Sequence, residues 1–189
     1  MEDWLLDFGK RNLAPQRFSF VCKFLIALQV IVFLSNLGFL GASASMTAKS
    51  DALYEATILF VQPLQDVCIA ILFLALMLVL NKKEIRIPLV GYETILIVAQ
   101  CVIHFIYKFN GNSHGFLSGI LAIAIYVIMC IIGWQLGNTP YRKLGIIIIC
   151  YAVFDFLYSP TNQIQFVIDL LLTAYWAMSF ERTLTKELY

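Results

Sequence analysis

Three aspartates, Asp66, Asp155 and Asp169, stand inside long apolar runs of this sequence. A charged side chain near the centre of a hydrocarbon layer costs at least about 2.5–3.5 kcal/mol on insertion scales, so such residues face a protein interior or a water-filled cavity. Acids placed there can hold a cation, carry a proton or accept hydrogen bonds from a polar ligand. Their neighbours at helical spacing are polar too. Glu55, Gln62 and Asp66 succeed one another at seven and four residues, which puts them within about 40° on one helix face. Glu93, Gln100, His104 and Tyr107 follow the same spacing and fall within about 60°. Tyr151, Asp155 and Tyr158 form a further stripe, Gln165, Asp169 and Trp176 another, and Gln29 and Asn36 a pair. The expected site gathers Asp66, His104, Asp155, Asp169, Gln62 and Gln100 into an acid-lined pocket open to the outer side, with Asp66 deepest. Glu55 and Glu93 are expected at the two interfaces, in contact with water.

The competing account makes each of these residues a tie between helices, worth on the order of 0.6 kcal/mol. It suffices for any single Gln, Asn or Tyr. Three acids with one histidine nearby leave charge that a bundle alone does not neutralise, and this favours a ligand.

Catalytic signatures are absent from the sequence. It holds no HExxH pair and no glycine-rich phosphate loop. Cys101 and His104 stand one turn apart, a spacing that can pair thiolate with imidazole, but no third residue orients them. A metal held by His104, Asp155 and Asp169 is chemically conceivable and has no second histidine to support it. The five cysteines are scattered singly with no CxxC pair and read as small buried hydrophobes. No cofactor is expected, and an enzyme is not the expected class.

The elements that position these residues follow from composition. Of 189 residues, 61% are apolar and 13% charged, against roughly 45–50% and 25% in a soluble domain. The net charge of +1 and the lack of a basic run argue against a nucleic-acid partner. Apolar runs near 18–42, 54–80, 87–109, 116–136, 144–160 and 163–180 are separated by short polar punctuation such as Asn81-Lys82-Lys83-Glu84, the Gly137 to Pro140 turn and Ser159-Pro160. The expected fold is all-α, a polytopic integral membrane bundle of six transmembrane helices spanning 18–180, with an N-terminal segment 1–17 and a C-terminal tail 181–189. The last two spans are short, and a re-entrant hairpin is their alternative.

Orientation comes from the basic residues, which collect in cytoplasmic loops. Lys10, Arg11, Arg17, Lys23, Lys82, Lys83, Arg86, Arg142, Lys143, Arg182 and Lys186 fall on one side under this reading, and only Lys49 and Lys108 on the other. Both termini are therefore expected in the cytoplasm. Ala42-Ser43-Ala44 resembles a signal-peptidase site, but the run before it is longer than a signal core and follows an acidic leader, so it is read as a span. Trp4, Leu5 and Phe8 share one side of a short helix suited to the headgroup region. Pro63 stands beside Gln62, where it frees a carbonyl and favours a kink close to Asp66. A weak echo aligns Tyr54 to Asp66 with Tyr92 to His104, the pattern an inverted repeat would leave.

The function expected from these features is transport or binding of a small solute, itself cationic or coupled to a cation. The alternative is a non-transporting membrane subunit that anchors, senses or confers immunity within a larger assembly. Expected partners are the lipid bilayer, the solute or cation, and a second copy or a partner membrane subunit.

Overall fold

The structure is a computed structural model that describes residues 2–41, 47–109, 116–157 and 163–188. These form seven helices: α1 (Glu2–Asn12), α2 (Pro15–Gly41), α3 (Thr47–Lys82), α4 (Leu89–Phe109), α5 (Phe116–Leu136), α6 (Arg142–Leu157) and α7 (Gln163–Leu188), with no strand among the described residues. Helices consecutive in the chain from α2 onward are neighbours in space, and α7 closes the circuit on α2 and also meets α3. Side-chain pairs fix the directions. Ser19 with Glu181 and Gln29 with Asp169 make α2 and α7 antiparallel, whereas Phe73 with Trp176 and Lys82 with Glu187 make α3 and α7 parallel.

Among the described residues, three stretches, Pro15–Ser35, Phe60–Lys82 and Gly119–Leu136, are long and apolar enough to cross a membrane. In α4, which has 21 residues, the described apolar stretch is Leu89–Ile103; α6 has 16 residues and so reaches about 24 Å. In α7, Asp169, Glu181, Arg182, Lys186 and Glu187 interrupt the apolar pattern. The break expected between the runs 87–109 and 116–136 and the one at Ser159-Pro160 lie outside the described residues.

The second half of α3 is the centre of the bundle. Every residue from Leu72 to Leu80 is buried, the mark of a helix surrounded on all sides. Helices α1, α2, α4 and α7 supply that surround. At its middle, Trp176 of α7 is fully buried, stacked on Tyr151 of α6 at 4.4 Å between ring centroids and edged by Phe180 at 5.3 Å and Phe73 at 6.4 Å.

One end of the bundle carries the basic residues and is tied together by α7. Lys23 pairs with Glu181 at 3.7 Å, Lys83 with Glu187 at 2.7 Å, and the Lys82 ammonium donates to the Glu187 carbonyl at 2.9 Å. The Glu187 carboxylate pushes the Lys83 pKa up, so this pair persists through neutral pH and lapses only as pH climbs past the raised lysine value. Because α7 runs on to Leu188 with Leu184 fully buried, residues 181–188 are a docked helical end. Helix α1 packs on α3 at this same end: Leu5 is buried, and a Cβ on Gly9 would come within 2.8 Å of Leu78. Trp4 and Phe8 stack at 5.7 Å on its exposed side, so Leu5 faces the bundle while the two rings face away.

The turn from α3 to α4 is closed by Ile85 N–H donating to the Leu80 carbonyl at 2.9 Å and Glu84 N–H donating to Asn81 at 3.1 Å. This Schellman pattern needs a left-handed residue after the helix, and Glu84 occupies it with φ of 59°. Glu84→Gly should therefore raise stability by about 1 kcal/mol, read as a higher unfolding midpoint in detergent. A fall in the midpoint would mean that the glutamate side chain compensates for its backbone.

Candidate functional site

Above the aromatic cluster, toward the end away from the basic residues, polar side chains from five helices converge. Gln65 of α3 donates its amide to the Gln29 carbonyl oxygen of α2, and the Gln29 amide donates to Asp169 of α7. Thr173, one turn along α7 and buried, bonds the same carboxylate. The Tyr126 hydroxyl of α5 donates to Asp155 of α6 at 2.6 Å. Asp66 of α3 lies within electrostatic range of Asp155, Tyr126 and Cys101, and Asp155 within range of Asp169.

The local sequence explains how these groups meet. Asp169 and Thr173 stand four apart on α7 and so share a face. Asp155 is brought to Tyr126 by the antiparallel crossing of α5 and α6, which close on each other at Gly133 and Gly145, where a Cβ on Gly133 would come within 2.6 Å of the Gly145 carbonyl oxygen. Small residues permit such close approach between membrane helices. Helix α4 is fixed against α3 by the Cys101 thiol, which donates to the Pro63 carbonyl at 3.5 Å.

Set against the sequence expectation, Asp66, Asp155 and Asp169 are half-buried and gathered together. Gln100 is buried on α4. Gln62 is exposed, and its expected place in the network is taken by Gln65, one position before Asp66. The side chains of His104, Glu55 and Tyr107 fall outside the described residues. Sequence reasoning misses Gln65, Thr173 and Tyr126. Tyr126 carries a signal: it is the only tyrosine in the apolar run of α5, and a buried phenol seeks a partner.

Glu93 departs furthest from expectation. It is fully buried, with neither carboxyl oxygen hydrogen-bonded among the described residues. The Trp176 indole N–H is likewise buried without an acceptor among them.

No group of three or more His, Cys, Asp or Glu among the described residues is close enough to hold a metal ion. All five cysteines are free thiols. A cleft of about 380 Å³ lined by Asp3, Asn81, Arg86 and apolar residues of α1 and α3 opens at the basic end; from Asp66 to Leu80 is about 21 Å along α3, so this cleft is separate from the acids. No protein-family model, no curated protein and no solved structure matches the chain.

Proposed function

We propose that the chain is a six-span membrane protein, both ends cytoplasmic, that binds and carries a small cationic or cation-coupled solute at Asp66, Asp155 and Asp169 from the outer side. The observation that carries this reading is the gathering of three carboxylates from three helices, where the donors that the described residues supply to Asp155 and Asp169 are neutral: a phenol, an amide and a hydroxyl. Neutral donors stabilise a carboxylate, but they do not cancel the repulsion among three in a medium of low dielectric. A cation does. The acids lie in no compact metal-binding group among the described residues, which suits an organic cation spanning them better than a bare ion held by all three.

Two further features agree with the reading. The tight packing around Trp176 and Phe73 lies between the acids and the basic end, as a closed barrier on the cytoplasmic side would. The clustering of Lys and Arg at that end fits the orientation rule.

The experiment is titration of the purified chain with methylammonium chloride by calorimetry. Asp155→Asn and Asp169→Asn keep much of the hydrogen bonding and remove the charge, so each should fold normally and bind at least tenfold more weakly, a loss of about 1.4 kcal/mol. Unchanged binding in both variants would return these acids to interhelical packing and leave the non-transporting subunit as the better account.

A further inference from the structure

The acid cluster does not use Glu93, and packing alone does not explain it. The contact of Cys101 with Pro63 sets the register between the antiparallel helices α3 and α4. Eight residues toward the basic end from that contact, Glu93 lies about 12 Å along the axis, level with Ile71 and some 7.5 Å beyond Asp66. It is fully buried and its carboxyl group has no hydrogen-bond partner among the described residues. Seven residues away on the same face of α4, Gln100 is also buried and marks the way back toward the acids.

The helices packed against α4 are α3 and α5. On their described apolar stretches the titratable groups are Asp66 and Cys68 of α3 and Tyr126 and Cys130 of α5, with Lys82 at the end of α3 turned to Glu187. Among the described side chains of α4 are Tyr92, which is exposed, and Cys101, which is bonded to Pro63; His104, Tyr107 and Lys108 of the same helix stand eleven or more residues further on, about 16 Å or more along the axis from Glu93. None of these is a base placed to balance a negative charge on Glu93. A carboxylate so enclosed is stable only as the neutral acid or with a cation brought to it.

We infer that Glu93 is a proton-holding site that discharges its proton against the cation taken up by the acid cluster, which makes the chain a cation–proton exchanger. This rests on the cation-binding reading of the cluster. The step balances one for one: the carboxylic acid and a monovalent cation give the carboxylate paired with that cation and a free proton. The proton leaves toward the basic end, the nearer exit from Glu93. Cation and proton exclude each other at Glu93 because a single negative charge there holds only one of them.

The test is the infrared spectrum of the full chain in lipid at neutral pH, wild type against Glu93→Gln, with and without methylammonium chloride. The wild type should show a protonated carboxylic acid C=O stretch that is missing from Glu93→Gln and present in Asp66→Asn. Saturating methylammonium should convert it to carboxylate absorption. No difference between wild type and Glu93→Gln overturns the proposal whatever the cluster binds. If methylammonium binds by calorimetry yet leaves the band intact, the exchange step is wrong. If it does not bind at all, the cluster reading fails, and with it the exchange, while the band still decides whether Glu93 holds a proton. Should Glu93→Gln fail to fold, titrating the wild-type band with pH decides the same point: a band already lost at neutral pH would overturn the proposal.

Discussion

Gly133→Ala is expected to destabilise the bundle by about 3 kcal/mol, although alanine is the better helix former by roughly 1 kcal/mol. The added methyl would stand 2.6 Å from both the Gly145 carbonyl oxygen and Ile149 Cγ1. A backbone oxygen cannot step aside as a flexible side chain can, so α5 and α6 must separate. Gly145→Ala meets the same obstacle from the other helix, with Leu136 Cβ at 2.9 Å as well as the Gly133 carbonyl. Tyr126 is on one of these helices and Asp155 on the other, so separation also lengthens that hydrogen bond and, under the proposed function, weakens cation binding. Gly119→Ala is the control. Nothing lies within 4 Å of its Cβ position, and the change should stabilise by up to about 1 kcal/mol. Unfolding midpoints in detergent for the three variants check the claim. Equal gains in all three would mean that the two helices do not touch at Gly133 and Gly145.

Much of this arrangement is written in hydropathy and period. The apolar runs give α2, α4 and α5 nearly at their observed bounds, because a span-length run with polar ends has few other ways to satisfy its backbone, whereas α3 begins at Thr47, ahead of the run expected from 54. The 3.6-residue period puts Asp66, Asp155 and Asp169 on inward faces, and the helices bring them together. The same period does not separate Gln62 from Gln65: the two lie about 60° apart around α3, and which one turns inward depends on where α2 sits. Counting residues from the end of its run places Glu93 at an interface. Its burial comes from the docking of α4 against the central stretch of α3, a tertiary fact that counting cannot supply. The end of α7 shows the same limit. Glu181 and Arg182 read as the start of a C-terminal tail, and the helical form of that tail, with Lys23 on Glu181 and Lys82 and Lys83 on Glu187, is not written in the charge pattern.

The other large effect is expected at Asp66, the acid that α3 contributes to the cluster, whose charge the proposed cation would meet. Asp66→Asn mimics the protonated acid: it keeps the shape, should insert normally, and removes the charge. Uptake of labelled methylammonium into proteoliposomes, measured against pH for wild type and Asp66→Asn, tests the central claim most directly. Wild-type uptake should fall as pH is lowered, because protons compete with the cation for the carboxylates. Asp66→Asn should transport at least tenfold more slowly at neutral pH, about 1.4 kcal/mol in barrier, and lose the part of the pH dependence that Asp66 contributes. Superimposable profiles for the two proteins would contradict the cation-carrier account.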